Sequence, residues 1–169
     1  MDGEDDDEFG NSVDISSDGK TLAIGAPGDY EANDRPGYVR VYYLESIYYL
    51  ESNDLTSSWT QIGQDIIGEA DGDGFGSSVS LSDDGKTLAV GAPYNDGNGK
   101  GSGHVRVYRM DDSSTSWTQV GEDIDGDAID DYSGFAVSLS ADGTTVAIGA
   151  PWNADNGYIS GHVRIFSIK

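Results

Sequence analysis

One phrase of the sequence is written three times. "FGSSVSLSDDGKTLAVGAP" at residues 75–93 has close relatives at 9–27 and 135–151. A recurring phrase of this length marks a repeat architecture, and the period must be settled before any local reading. Each unit divides into up to four pieces. The first reads "NSVDIS", "SSVSLS" and "FAVSLS"; the second "TLAIGAP", "TLAVGAP" and "TVAIGAP". The third reads "GYVRVYYL", "GHVRVYRM" and "GHVRIFSI", and the fourth, "SWTQIGQDI" and "SWTQVGEDI", occurs twice. Phe9 and Phe75 are 66 residues apart but Phe75 and Phe135 only 60. The excess has a visible source in "YYLESI" followed at once by "YYLESN", a tandem duplication across 42–53. An even insertion keeps alternate side chains on their faces of an extended segment.

The pieces alternate as strands do. Val79 and Leu81 lie on one side, Ser78, Ser80 and Ser82 on the other; Val105 and Val107 alternate with His104, Arg106 and Tyr108. Period two, β-branched residues and Gly/Asp punctuation predict strands. "TLAVGA" is apolar almost throughout, as in a strand buried on both faces. No segment shows a sustained helical period. The expected fold is all-β: β-propeller blades, three antiparallel four-stranded units, the last lacking its outer strand. The expected blades are 1–67, 68–125 and 126–169, together one partial propeller domain.

Composition narrows the partners. With 31 acidic and 9 basic residues among 169, the formal charge is −22. That excludes a nucleic-acid footprint and disfavours anionic membranes. No stretch reaches the roughly 20 apolar residues that span a bilayer. "MDGEDDDEFG" reads as the opposite of a signal peptide, so a leader is either removed or absent. There is no cysteine, which excludes disulfides, thiolate metal sites and thiol nucleophiles.

In an up-and-down meander, alternate turns share an end. The "SDDGK" turns and the "MDDSSTS" turn fall at one end; the loops after "GAP" and the loops entering each unit fall at the other. That second face collects more than half of the acids, with Arg35 and Lys100 as its basic residues. Aromatics on the same loops make a recognition surface on a rigid scaffold. The partner-binding candidates are Tyr30, Tyr94, Asp96, Trp152 and Asp155. The competing reading has the aromatics packing between blades and the acids merely solvated.

"FG…GAP" in register three times resembles the FG-GAP repeat of integrin α-subunit propellers, closest to the secreted multi-copy versions of microbes and microalgae. Phe9-Gly10 and Phe75-Gly76 match the first half; the third unit departs with Phe135-Ala136. Gly25-Ala26-Pro27, Gly91-Ala92-Pro93 and Gly149-Ala150-Pro151 match the second. The resemblance implies a propeller used in adhesion, and calcium in a loop between the first two strands closed by a further aspartate. Here that place holds Thr21-Leu22, Thr87-Leu88 and Thr145-Val146. What recurs is Asp18-Gly19, Asp84-Gly85 and Asp142-Gly143, which reads as a tight hairpin turn. If calcium binds, it binds weakly at "EADGDG", where Asp71 and Asp73 are the metal candidates. No cofactor is required by this reading.

His104 and His162 stand at matched strand positions, with Tyr38 in the first unit. Arg40, Arg106 and Arg164 also recur, with Asp65 and Asp123 as natural ion-pair partners. Nucleophile elbows, P-loops and paired metal-ligand motifs are missing, so no catalytic residue is assigned and the expectation is a protein that is not an enzyme. The expected function is a non-catalytic extracellular or cell-surface module for adhesion, binding of a protein or glycan, or assembly. A self-assembling ring or filament is the first alternative, and an enzyme using loop-face carboxylates the second. Closed propellers need four or more blades. Three blades therefore imply a homo-oligomer or a longer repeat protein, and two copies would supply six.

Overall fold

The computed structural model describes residues 1–28, 35–49, 55–111 and 116–169. It contains strands and no helix among them. The first sheet holds β1 (Ser12–Ile15), β2 (Thr21–Ala26), β3 (Tyr38–Tyr49), β4 (Leu55–Gln61) and β5 (Ile66–Ile67). The second holds β6 (Ser78–Leu81), β7 (Thr87–Ala92), β8 (His104–Met110), β9 (Trp117–Gln119) and β10 (Ile124–Asp125). The third holds β11 (Ala136–Leu139), β12 (Thr145–Ala150) and β13 (His162–Ser167). Neighbouring strands pair antiparallel in the order expected of a meander.

The expected outer strand is in fact two. In the first sheet β4 pairs with the far part of β3, and β5 with Tyr38 and Val39 at its start. In the second, β9 and β10 divide β8 in the same way. Gly63 (φ 78°) and Gly121 (φ 75°) stand at the breaks. A left-handed backbone cannot continue a ladder, and glycine adopts it without steric cost. The six-residue duplication lengthens β3 and β4 relative to β8 and β9, and a bulge between Leu44 and Ser46 interrupts their register.

The sheets stack face to face, so the core lies between units. Ala23, Val39, Val41 and Ile66 of the first sheet meet Phe75, Leu81, Leu88, Val90, Ala92 and Tyr108 of the second unit. Ala89, Val105 and Val107 then meet Val146 and Ile148 of the third. Burial of each of the Val, Leu, Ile and Phe side chains contributes about 1.5–3 kcal/mol. Identical phrases acquire different burial according to their neighbours: β7 is buried at every position, whereas β12 alternates between buried and half-buried.

The structural register corrects one reading of the sequence. Ser12, Ser78 and Ala136 pair with Gly25, Gly91 and Gly149 respectively. Counting back, the third equivalent of Phe9-Gly10 and Phe75-Gly76 is Ser133-Gly134, not Phe135-Ala136. The cause is the glycine: Gly10, Gly76 and Gly134 have φ of 97°, 95° and 87°, and Ala136 cannot take that role within a strand. Phe135 instead occupies the place of Asn11 and Ser77 and is exposed.

Candidate loop-face recognition site

At one end of the stack, the loop entering each unit docks on the loop after the previous "GAP". Gly72 N–H donates to the Arg35 carbonyl and Phe75 N–H to that of Pro36. At the next junction Asp130, Tyr132 and Ser133 donate to the carbonyls of Lys100, Gly101 and Ser102. The two loop families thus share one face, as the meander requires.

Each entering loop is built around one buried aspartate. Asp7, Asp73 and Asp131 are all at most 6% exposed. Each stands between two left-handed residues: Asp6 and Glu8, Gly72 and Gly74, Asp130 and Tyr132. Asn95 Nδ2 donates to Asp73 at 2.8 Å, and Asn153 Nδ2 to Asp131 at 3.0 Å. In the first unit Arg35 and the Tyr38 hydroxyl bind Asp7 instead. Burial pushes the Asp73 carboxyl above its ordinary value, and the Asn95 bond opposes this. For Asp7, desolvation is outweighed by the bonds from Tyr38, the Glu4 amide and Arg35, and its pKa is lowered.

A second repeated device lies beside these loops. Arg40 Nε binds Asp65 at 3.0 Å, and Arg106 grips Asp123 side-on at 2.8 and 2.6 Å while also reaching Glu69. Arg164 binds Asp127 at 3.2 Å. The Arg–Asp pairs foreseen in the sequence are therefore structural clasps between β3 or β8 and the strand beside it. Hydrogen bonding from Arg106 lowers the Asp123 pKa; for Glu69 the Asn95 bond is the larger cause of lowering. His104 is 1% exposed, its ring nitrogens have no hydrogen-bond partner, and burial lowers its pKa.

Among the described residues, Glu69, His104 and Asp123 bring three ligand-type atoms within 4.8 Å of one another. The Arg106 guanidinium already rests on both carboxylates, a cation where a metal would need to be. Asp73 is buried and held by Asn95, while Asp71 is exposed in the same loop. The structure does not bring those two carboxylates into this cluster.

The hairpin turns at the opposite end do not fit calcium either. Asp18 Oδ1 accepts from Ser16 Oγ and Lys20 N–H, and Asp84 and Asp142 repeat the pattern. Gly19, Gly85 and Gly143 have φ of 69°, 68° and 66°. One carboxylate committed to its own turn falls far short of the six to eight oxygens calcium takes. The Ser140 hydroxyl, with Thr144, pulls the Asp142 pKa down to about 2.

The aromatics form a ladder across the loop face. Tyr94 packs edge-on against Tyr132 at 5.6 Å, Tyr132 against Trp152 at 5.0 Å, and Trp152 against Phe135 at 5.1 Å. A groove of about 790 Å³ runs beside it, lined by Tyr94, Ile129, Asp130, Tyr132, Trp152, Asp155 and Tyr158 among others. Of the five candidates from sequence, Tyr94, Trp152 and Asp155 meet here. Asp96 accepts from Gly101 N–H at 2.7 Å and shapes its own loop. Tyr30 lies outside the described residues. Tyr132 was missed, because the third unit was aligned on Phe135. Setting "DDDEFG", "DGDGFG" and "IDDYSG" beneath one another would have placed it beside the buried aspartate.

A candidate 6-phosphogluconolactonase from Bacteroides uniformis superposes with a TM-score of 0.44 and 19% identity, over 94% of this chain and 41% of that one. The present chain thus spans less than half the length of that structure. A comparison with curated proteins found no match. The family model described as the FG-GAP repeat matches residues 1–42, 68–108 and 117–166. On those three matches the chain belongs to the FG-GAP repeat family.

Proposed function

We propose that this chain is a non-catalytic binding module that takes a partner protein on its loop face. The observation that carries the proposal is the groove in which Tyr94, Tyr132, Trp152 and Tyr158 stand beside Asp130 and Asp155, with no basic side chain among the described residues that line it. Rings and carboxylates together suit a segment carrying lysine or arginine: the ring faces attract the cation and the acids neutralise it. A net charge of −22 steers such a segment toward the surface. The reading includes an extracellular or cell-surface setting, which rests only on the likeness of the repeats to integrin α-subunit propellers.

Tyr158 is 92% and Trp152 39% exposed, so both can be removed without emptying a core. The test is binding of the chain and of a Trp152→Ala/Tyr158→Ala variant to immobilised lysine-rich peptides and to neutral glycans. Peptide binding weakened at least tenfold in a variant of unchanged melting temperature supports the proposal. Peptide binding indifferent to both substitutions sinks it, and binding of glycans alone moves the partner to another class.

A further inference from the structure

The two junctions inside the chain share one geometry, in which a glycine carbonyl seats on a glycine of the previous sheet. The Gly76 carbonyl lies against the Cα of Gly25, and the Phe75 carbonyl against Gly37. The Gly134 and Ser133 carbonyls lie in the same way against Gly91 and Gly103. A Cβ on Gly25 or Gly91 would run into the seated carbonyl oxygen. Hydrogen bonds complete each junction. Ser12 Oγ donates to the Gly76 carbonyl and Ser78 Oγ to that of Gly134, both at 2.7 Å. Leu81 N–H donates to Asp14 at 2.6 Å, and Leu139 N–H to Ser80 Oγ at 3.0 Å. At the hairpin turns, Ser17 N–H donates to Asp83 and Asp83 N–H to Ala141.

The chain therefore carries three sockets and three inserts but makes two unions. The third socket is an open cavity of about 390 Å³, lined by Gly149, Gly161, Ala136 and Val163 among others. A Cβ on Gly149 would meet only Ala136 of its own sheet, at 3.5 Å. Around it, Val163 and Ile165 are 65% and 70% exposed, although their equivalents Val39, Val41, Val105 and Val107 are at most 3% exposed. The matching unused insert is Phe9-Gly10. Beside it Val13 and Ile15 are 61% and 51% exposed, whereas Leu81, the equivalent of Ile15, is 8% exposed.

We propose that the Gly149/Gly161 socket of one copy receives the Phe9-Gly10 segment of a second copy of this chain, head to tail. The repeat supplies the chemistry of the contact. Ser138 stands where Asp14 and Ser80 accept, ready for the Ile15 N–H of the other copy. Ala141 N–H stands where Ser17 and Asp83 donate. Val163 and Ile165 cover Val13 and Ile15. Ala136, in place of Ser12 and Ser78, leaves this junction one hydrogen bond short of the internal two. Two such contacts would supply six blades, and the socket adjoins the loop-face groove, whose Tyr158 and Ile159 directly precede Ser160 and Gly161 of the socket. Like charge on the copies opposes their approach, so salt, which screens it, strengthens the assembly.

The experiment is sedimentation velocity on the 169-residue chain at low and high salt, with Ile165→Asp in the socket and Ile15→Asp beside the insert. Both side chains are exposed in the single chain, so each variant should melt with the unaltered chain at dilutions where the latter is monomeric; Gly149→Ala offers a second socket variant. The expected result is association that grows with salt, monomers for each variant alone, and a one-to-one dimer when the two are mixed. That mixed dimer arises because one intact socket meets one intact insert. A chain monomeric at all salts overturns the proposal and leaves the socket to a further repeat of a longer chain. Association that survives both substitutions, or variants that fail to complement, overturns it equally.

Discussion

Asn153 donates its side-chain amide to the buried carboxylate of Asp131 at 3.0 Å, fastening the loop after β12 to the loop that enters the same unit. Asn95 and Asp73 repeat the bond in the second unit. Asn153 is 1% exposed and Asp131 4%. Truncating Asn153 to alanine leaves a carboxylate desolvated with one partner fewer. The expected loss is about 1–3 kcal/mol in chemical unfolding, with Asn95→Ala behaving alike.

Two glycines with the same sequence context should respond oppositely to alanine. Gly91→Ala forces a methyl group against the Gly134 carbonyl, and overpacking of this kind costs about 1–3 kcal/mol. In the monomer Gly149→Ala meets ordinary contact distance and should shift stability by less than about 0.5 kcal/mol. Equal effects in thermal unfolding would show that the inter-sheet seat has been misplaced.

Asp130 has a φ of 59°, where the second unit uses Gly72 at 80°. A non-glycine residue in this region carries about 1–2 kcal/mol of strain. Asp130→Gly is therefore expected to raise stability by about 1 kcal/mol, read as a higher melting temperature. A lower one would mean that the aspartate side chain contributes more than its backbone costs.

His104 sets a pH dependence whose sign follows from its burial. Desolvation lowers its pKa from 6.5 and Arg106 adds to this, while Asp123, Glu69 and Asp73 oppose it. The folded state then binds fewer protons than the unfolded one. Stability is complete above 6.5 and falls as pH drops from there toward the folded pKa. Melting temperatures between about pH 7.5 and 5.5 should decline for the native chain and stay flat for His104→Tyr, which copies Tyr38 of the first unit. Loss of the Asp123 and Glu69 clasps is a separate event, seen only as pH falls through their lowered pKa values.

Chelation of calcium should leave the melting temperature where it was. A ligand bound to the native state alone would raise it with the logarithm of its concentration above Kd, yet the turn aspartates are committed to Ser16, Ser82 and Ser140. A calcium-dependent rise of several degrees would reverse that reading.

Much of this architecture is legible in the sequence because it is local. Alternation in "SSVSLS", the Asp-Gly turns and the recurrent arginines each specify one strand, one turn or one clasp. What escapes is what depends on a neighbour. Nothing local in "TVAIGA" shows that β12 is covered differently from β7. Phe135 misled because aromatic identity was matched, whereas the backbone there selects glycine at 134 for its φ. The groove was half-visible: Tyr94 and Trp152 follow "GAP", but Tyr132 joins them only through the fold.

The divided outer strand has a consequence for growth of the sheet. β9 has three residues and β10 two, and Gly121 turns the chain between them. A flat run of unpaired amides is the template on which foreign strands add. Here the rim of the second sheet is chopped into pieces too short to nucleate such addition. The second sheet is thereby guarded against side-by-side ribbons at that rim, whereas β13, at the edge of the third sheet, presents six residues.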